Sequence, residues 1–288
     1  MQSKEGFTLI EVLIAMLVSL VIMGGAYMFF NTQQRQTTIQ TNVSDTQQIL
    51  RAAMDYVVRD VRMAGYDPHG SGKFGIKDIS SLSLGGKTVS RIRFSWDKNS
   101  DGKLEEDWNG TSGIQPEEAE QMEYSLVNNS AITDGINDLY LKYPGAADSD
   151  REVLAANITT IGFGYAYDDD DDGKLDRASG KIIWGFDNGG NWLNLDTNGD
   201  GDITAADDAD GDGLIDGDDT GTSVDTSAIR AVRIWLLAQA QAPDPKYMDT
   251  KTYVVGPHIS SPATRPDNRF RHRLLERTVL CRNMGLNL

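Results

Sequence analysis

The N-terminal sixty residues follow one helical pattern with two halves. After Glu11 no charged residue occurs until Arg35, and this stretch is long and apolar enough for a membrane-spanning helix. Beyond Arg35 apolar residues recur at three- and four-residue steps, which predicts an amphipathic helix with one core-facing stripe. The predicted stripe is Val43, Ile49, Leu50, Ala53, Met54, Val57, Val61 and Ala64, and the predicted solvent side carries Arg51, Asp55, Arg59 and Asp60. Gly65 and Pro68 are expected to end the helix.

After Pro68 the hydrophobic period changes from that of a helix to that of a strand. Ile92, Phe94 and Trp96 alternate with polar neighbours, which is typical of a half-buried strand. Further strands are predicted at 123–127, 138–143, 158–167, 181–186, 229–239, 252–255 and 274–281. The sequence therefore predicts an α+β fold, with one long N-terminal helix packed on an antiparallel β-sheet.

Two of the predicted strands have distinctive faces. In 158–167 the large residues Ile161, Phe163, Tyr165 and Tyr167 share one face, while Gly162, Gly164 and Ala166 share the other. The small face predicts close approach of a helix. Strand 229–239 is apolar on both sides, which predicts a central strand covered on both faces, one of them by the amphipathic half of the helix.

Glu11 is the one carboxylate at the head of the apolar stretch. A carboxylate inside hydrocarbon costs several kcal/mol unless a partner meets it. The available cation is the amino group that cleavage after Gly6 would create on Phe7. An ordinary signal peptide, with Gly24, Gly25 and Ala26 as a cleavage site, and a plain single-span anchor are the alternatives. Neither alternative explains the position of Glu11.

The leader Met-Gln-Ser-Lys-Glu-Gly and the following Phe-Thr-Leu-Ile-Glu-Val-Leu-Ile-Ala resemble the prepilin-peptidase site of the type IV pilin and pseudopilin family. This resemblance implies cleavage between Gly6 and Phe7, N-methylation of Phe7, and contact of Glu11 with the amino terminus of a neighbouring subunit. The segments 59–66 and 273–283 are similar to those of PilW-type minor pilins. The chain lacks the helix proline and the cysteine pair of many major pilins.

The expected organisation is a leader at 1–6, a pilin helix at 7–64 that spans the membrane at about 8–30, and a β-rich domain at 65–288. The net charge of −16 is concentrated in one insertion of this domain, residues 168–219. This segment contains 17 aspartates and only three cationic residues. The single cysteine, Cys281, cannot form an internal disulfide. Another kind of cross-link is therefore expected in an exported domain.

The aspartate spacing matches the twelve-residue calcium loop, which supplies oxygens from positions 1, 3, 5, 7, 9 and 12 and has glycine at position 6. Two consecutive loops fit every position. The first, called the Asp196 loop, consists of Asp196, Asn198, Asp200, Asp202, Thr204 and Asp207, with Gly201 at position 6. The second, the Asp208 loop, consists of Asp208, Asp210, Asp212, Leu214, Asp216 and Asp219, with Gly213 at position 6.

Two further loops fit the calcium pattern through position 9. The Asp168 loop contains Asp168, Asp170, Asp172, Lys174 and Asp176, but Ser179 at position 12 requires water or another part of the chain to complete the shell. The Asp97 loop contains Asp97, Asn99, Asp101, Lys103 and Glu105, with Trp108 at position 12 and Glu106 or Asp107 as substitutes. A polar Asp-Gly hairpin turn is the alternative for both. Two calcium ions, and up to four, are expected to act as a structural staple.

No catalytic constellation is recognisable in the sequence. The chain has no Gly-x-Ser-x-Gly and no phosphate-binding loop, and His69, His258 and His272 lack metal-ligand spacing, so an enzyme is not expected. Nucleic acid is not expected as a partner of such an acidic chain, whose one basic cluster is Arg265, Arg269, Arg271 and Arg273.

The resemblance and the anchor together predict a minor type IV pilin that takes part in pilus assembly or initiation, at the filament tip. The alternatives are a pseudopilin of a type II secretion system and a pilus-borne adhesin. The expected partners are other pilins, contacted through the N-terminal helix, and prepilin peptidase. The protein is expected in the inner membrane as a single-pass protein before assembly and on the pilus at the cell surface afterwards.

Overall fold

The computed structural model describes residues 8–79, 81–84, 87–104, 119–128, 137–144, 152–168, 170–178, 180–188, 191–209, 211, 215, 226–260 and 269–285. The chain divides into two compact units, residues 1–45 and 46–288. One helix, α1 (Leu9–Met63), contributes to both units.

In the first unit, α1 exposes its large apolar side chains from Leu9 to Phe30. This helix is long and apolar enough to cross a membrane, and its apolar window is not buried against any other part of the described chain. The exposed apolar surface is what a lipid environment would cover.

In the second unit, α1 ends at Met63 because Gly65 adopts the left-handed conformation, with φ of 76°, and its N–H donates to the carbonyl of Ser95. A Cβ at Gly65 would lie 2.5 Å from Cγ of Met284, so the turn also requires a small residue. The predicted helix end is confirmed to within one residue.

The strands follow in chain order. They are β1 (Gly75–Asp78), β2 (Ser81–Leu84), β3 (Lys87–Ser90), β4 (Ile92–Ser95), β5 (Gln121–Asn128), β6 (Asn137–Lys142), β7 (Glu152–Tyr167), β8 (Arg177–Ala178), β9 (Lys181–Ile182), β10 (Gly185–Asn188), β11 (Asn191–Asn194), β12 (Ile229–Gln239), β13 (Tyr253–Val255), β14 (His258–Ser260) and β15 (His272–Leu280). All described pairings are antiparallel.

Within the described residues, nine strands form one large sheet. Strands β1, β4, β5, β6 and β7 are neighbours in that order. Strand β12 pairs with both β7 and β15. Strand β10 pairs with the end of β7 and with β11. The pairs β2–β3, β8–β9 and β13–β14 are separate hairpins. The predicted strand 181–186 is wrong as a continuous element, because Ile183 and Trp184 interrupt it between β9 and β10.

The main hydrophobic core lies between the second half of α1 and one face of the sheet. Leu50, Ala53, Met54, Val57 and Val61 are buried there against sheet residues such as Phe94, Phe163 and Ile234. Most of the predicted helix stripe is confirmed. Ile49, however, is 38% exposed, so its placement on the stripe is wrong.

Asp60 is also misplaced by the sequence pattern. The pattern assigns it to the solvent side of α1, yet it is buried and accepts a hydrogen bond of 2.6 Å from the hydroxyl group of Tyr124. Arg59 neutralises it, with Nε at 2.9 Å from Oδ1. The specific tyrosine partner on β5 is what permits a carboxylate at this interface.

A second hydrophobic cluster covers the opposite face of the sheet, and it includes Ala166, Trp235, Leu237 and Val255. Strand β12 is therefore covered on both faces, as predicted. The small face of β7 does not receive a helix, and that prediction is wrong. A Cβ at Gly162 would lie 2.1 Å from the carbonyl oxygen of Val255, so the β13–β14 hairpin occupies this space. The helix packs on the large face instead.

Candidate metal-binding loops and processing site

Three of the four predicted calcium loops share one hydrogen-bond pattern. The glycine N–H at position 6 donates to the position 1 carboxylate, over 2.9 Å from Gly102 to Asp97, 2.9 Å from Gly173 to Asp168 and 2.8 Å from Gly201 to Asp196. The position 5 N–H donates to the oxygen of position 3, and the position 7 N–H donates to the carboxylate of position 5. The side chains of positions 1, 3 and 5 are thereby turned into the loop.

The backbone of these loops is also the same. Residues at positions 4 and 6 have positive φ in all three, namely Ser100 and Gly102, Asp171 and Gly173, and Gly199 and Gly201. Serine and aspartate seldom adopt this conformation. Three segments of different sequence and context therefore reach one loop conformation, as a shared spacing of aspartate and glycine predicts.

The Asp97 loop lies beside a candidate ligand that is outside the predicted set. Carboxylate oxygens of Asp97, Asp101 and Glu120 lie within 4.8 Å of one another. Asp97 and Glu120 are buried, and Glu120 Oε1 accepts a hydrogen bond of 3.3 Å from the N–H of Lys98. Glu120 directly precedes β5, and only the pairing of β5 with β4 brings it to the loop. Glu105, Glu106 and Asp107 lie outside the described residues.

The Asp168 loop brings together three predicted ligands. Carboxylate oxygens of Asp168, Asp170 and Asp176 lie within 4.8 Å of one another. Asp168 is buried, and Arg230 lies beside it with Nε at 3.8 Å from Oδ2. Lys174 at position 7 extends to Asp172, at 2.9 Å, so its backbone carbonyl remains as the predicted metal donor. Ser179 lies outside the described residues.

The Asp196 loop is closed by its twelfth residue. Asp207 is fully buried, and its carboxylate accepts hydrogen bonds from the N–H groups of Thr197 and Thr204, at 3.0 and 2.8 Å. In the part of the chain that the structure describes, this loop does not bring three carboxylates within 4.8 Å. Asn198, Thr204 and the carbonyl of Asp202 remain its predicted non-carboxylate ligands.

The Asp208 loop is described only at Asp208, Ala209, Gly211 and Ile215. Gly211, at position 4, has a φ of 78°, in agreement with the other loops. Ile215, at the apolar position 8, is fully buried, and its N–H donates to the carbonyl of Pro257. The predicted ligands Asp210, Asp212, Leu214, Asp216 and Asp219 lie outside the described residues.

At the N-terminus, Gly6 and Phe7 lie outside the described residues, and Glu11 lies in the first turn of α1. The Glu11 carboxylate accepts hydrogen bonds from the N–H and the hydroxyl group of Thr8, both at 2.8 Å. The Thr8 hydroxyl in turn accepts a hydrogen bond from the N–H of Glu11. This reciprocal arrangement is a capping box, in which the acid at the third helical position satisfies the start of the helix.

The histidines and the cysteine are all engaged in packing or hydrogen bonds. His69 Nε2 lies 2.8 Å from the carbonyl of Ser100, and buried His272 Nδ1 lies 2.8 Å from Asp249 Oδ2. His258 Nε2 lies 3.2 Å from the Ser90 hydroxyl, and burial lowers the pKa of His258 to about 4. Burial raises the pKa of the Cys281 thiol to about 12.

Comparison with known proteins gives two family matches. Residues 1–27 match the prokaryotic N-terminal methylation motif, and residues 39–140 match the family described as prepilin peptidase-dependent protein B. Over these residues, which together make up less than half of the chain, this protein is similar to prepilin-type proteins. The two matches agree with a type IV pilin-like protein that depends on prepilin peptidase.

Among solved structures, a type IV-like pilin from Thermus thermophilus is similar to this pilin-like protein, with 11% sequence identity and a TM-score of 0.39. The similarity covers 83% of this chain and 97% of that one. No curated protein sequence gives a significant match.

Proposed function

We propose that this protein is a minor type IV pilin, a structural subunit that takes part in assembling or initiating the pilus at its tip. Prepilin peptidase removes residues 1–6 and exposes the amino group of Phe7, which is then methylated. Before assembly the subunit is a single-pass protein of the inner membrane, and after assembly it lies on the pilus. The match to prepilin peptidase-dependent protein B, which runs from the second half of α1 into β6, supports a minor rather than a major pilin.

The observation that carries this proposal is the position of Glu11. It is an acid at the head of an apolar helix whose side chains are exposed from Leu9 to Phe30. Hydrogen bonds from Thr8 satisfy one carboxylate oxygen but supply no positive charge. In hydrocarbon the carboxylate therefore still needs a cation, and the amino terminus of a neighbouring subunit provides one.

Two substitutions separate assembly from helix capping. Glu11→Gln keeps the capping box, since glutamine also serves at this position, but removes the charge. Thr8→Ala removes the cap but keeps the charge. We expect correctly cleaved Glu11→Gln protein to remain in the membrane and Thr8→Ala protein to enter pili, as measured by immunoblotting of sheared filaments. Normal incorporation of Glu11→Gln would refute the charge-based contact.

Deletion of the gene distinguishes the pilus from the alternatives. A minor pilin of the initiation complex is needed for filaments to start, so we expect few or no surface pili in electron micrographs. Intact pili with lost protein secretion would indicate a pseudopilin. Intact pili with lost attachment to surfaces would indicate an adhesin.

We also propose that calcium stabilises the globular domain through the predicted loops. Buried Asp97 and Glu120 place two carboxylates within 4.8 Å of each other and of Asp101, and Asp168, Asp170 and Asp176 form a second such group. Like charges at this separation repel, and an oxygen-preferring cation relieves the repulsion. The Asp196 and Asp208 loops supply the same ligand spacing. Affinities of extracellular calcium sites, about 10⁻⁴ to 10⁻³ M, would fill the loops after export.

Thermal unfolding of the full-length protein in detergent tests this proposal. Free calcium at about a hundred times the Kd of two sites would raise the free energy of unfolding by roughly 5 kcal/mol. This corresponds to a Tm increase of about 10 °C or more. We expect this increase with calcium over excess chelator. Magnesium is the control, because it demands octahedral geometry and retains water. An identical Tm in calcium and chelator would refute the proposal.

A further inference from the structure

Strand β15 forms an open edge of the large sheet. Among the described residues it pairs only with β12, through nine regular residue pairs from Ala231–Leu280 to Gln239–His272. An edge strand presents unpaired N–H and C=O groups that an added strand can satisfy. Short length, bulges, proline and lysine usually block such an edge. β15 has no bulge in this pairing and contains neither proline nor lysine.

This edge is basic in a strongly acidic protein. Residues 269–285 contain five arginines and one acid, Glu276, in a chain with a net charge of −16. Arg271 is paired with Asp244 at 2.9 Å. Arg273, Arg277 and Arg282 are exposed, and no carboxylate of the described residues lies within 4.0 Å of them. The edge therefore has positive charge available for a partner.

The side chains of β15 alternate in a way that defines the partner. Arg273, Leu275 and Arg277 lie on the face that packs toward α1, and Leu275 contacts that core. Leu274, 37% exposed, and Glu276 lie on the other face. An added strand would meet two positive charges four residues apart with an apolar residue between them.

A second copy of β15 does not satisfy this pattern. A twofold axis perpendicular to the sheet keeps each face on the same side, so paired positions must share a face. Two copies of β15 paired in this way are antiparallel, and three registers centre the strands on each other. These registers place Glu276 opposite Glu276, Arg277 opposite Arg277, or Arg273 opposite Arg277. Directly opposed like charges are destabilising.

We propose that the β15 edge binds an extended segment of a partner protein that has acidic residues at positions i and i+4 and an apolar residue at i+2. Main-chain hydrogen bonds to the edge would provide affinity. The two carboxylates would select this edge by pairing with Arg273 and Arg277, and the apolar residue would cover Leu275. The acidic insertion of this chain would repel the acidic partner segment from other parts of the protein surface. This repulsion favours binding at the basic β15 edge.

A designed peptide tests the proposal on the full-length protein in detergent. Its core is Glu-Lys-Val-Ile-Glu, which places glutamates opposite Arg277 and Arg273 and lysine opposite Glu276 in antiparallel pairing. The control peptide, Lys-Glu-Val-Ile-Lys, has the charges reversed. Binding is measured by titration calorimetry, and the location of binding by hydrogen–deuterium exchange of the β15 amides.

We expect the acidic peptide to bind saturably, to slow exchange in β15, and to bind more weakly as salt is raised. The control peptide should bind at least about fivefold more weakly. The variant Arg273→Glu/Arg277→Glu should weaken binding to a similar extent. Its control is Arg51→Glu/Arg62→Glu, which makes the same change in net charge at two exposed helix positions and should leave binding unchanged.

Three results would overturn the proposal. One is the absence of saturable binding, which would assign Arg273 and Arg277 to protecting the edge against aggregation. Another is equal binding of the two peptides. The third is binding that persists in the folded Arg273→Glu/Arg277→Glu variant, with folding verified by an unchanged Tm.

Discussion

The hydroxyl group of Tyr124 on β5 lies 2.6 Å from Oδ2 of Asp60 on α1, and both residues are buried. Burial and the negative charge of Asp60 raise the pKa of Tyr124, so the phenol remains a proton donor to the carboxylate. This pair joins the helix to the sheet by a polar contact within an otherwise apolar interface. It fixes the rotation of α1 about its axis, since a small rotation would leave Asp60 buried without its donor.

The first prediction concerns this contact. Tyr124→Phe keeps the ring but removes the donor, so we expect the free energy of unfolding to fall by about 1–3 kcal/mol. Urea denaturation monitored by circular dichroism measures the change. Asp55→Asn, at an exposed position of the same helix, should change it by less than about 0.5 kcal/mol. Equal effects of the two substitutions would contradict the interpretation.

The second prediction concerns the close approach of β7 and the β13–β14 hairpin. Gly162→Ala would place a Cβ 2.1 Å from the Val255 carbonyl oxygen, a backbone atom that cannot move without displacing the hairpin. We expect a loss of about 3 kcal/mol or more in the free energy of unfolding. Gly164→Ala brings its Cβ to 3.0 Å from the Trp235 ring, and should cost less. If Gly164→Ala were the more damaging substitution in denaturant titrations, this packing of the hairpin on β7 would be wrong.

The third prediction concerns acid stability. The pKa of His258 is lowered to about 4, below its value of about 6.5 in the unfolded chain. Between these values the unfolded state binds more protons, so stability decreases as the pH falls from about 6.5 to about 4, by roughly 3 kcal/mol in total. His258→Gln should remove this part of the pH dependence. The measurement is the difference in unfolding free energy between wild type and variant at several pH values.

Above about pH 7 the difference in unfolding free energy between wild type and His258→Gln should be constant, which is the control for this titration. A second loss is expected below about pH 4 from Asp249. Burial alone would raise the pKa of Asp249, but hydrogen bonds from the Lys251 N–H and from His272 outweigh it and lower the pKa. A depressed carboxyl pKa contributes stability above the unfolded value of about 3.9, and this contribution is lost as pH falls through the folded value.

The fourth prediction concerns Glu120, which proximity alone assigns to the Asp97 loop. Glu120→Gln should reduce the number of calcium ions bound by one, or weaken one site at least about tenfold, because it removes a charged oxygen ligand. Titration calorimetry of the full-length protein measures both quantities. Glu152→Gln, at an exposed position of β7, is the matched control. Unchanged stoichiometry and affinity in Glu120→Gln would exclude Glu120 as a ligand.

Several features of this protein follow from short-range pattern alone. Helical and strand periodicity predicted the end of α1, most of its buried stripe and the bounds of β12. The spacing of aspartate and glycine accounts for the repeated loop conformation. The processing motif is likewise local, because it lies within residues 1–27, the segment that matches the N-terminal methylation motif. The apolar stretch of α1 from Leu9 to Phe30 is a single continuous segment and is local in the same sense.

Contacts between distant segments decided the rest. Asp60 and Tyr124 are 64 residues apart, and Glu120 reaches the Asp97 loop only because β4 and β5 pair. The small face of β7 contacts a hairpin rather than a helix, since periodicity indicates that a face is narrow but not which element fills it. Local sequence thus determined the helix, the strands and the aspartate–glycine spacing of the acidic loops. The tertiary structure alone determined their partners, because burial and ion pairing depend on residues that periodicity does not relate.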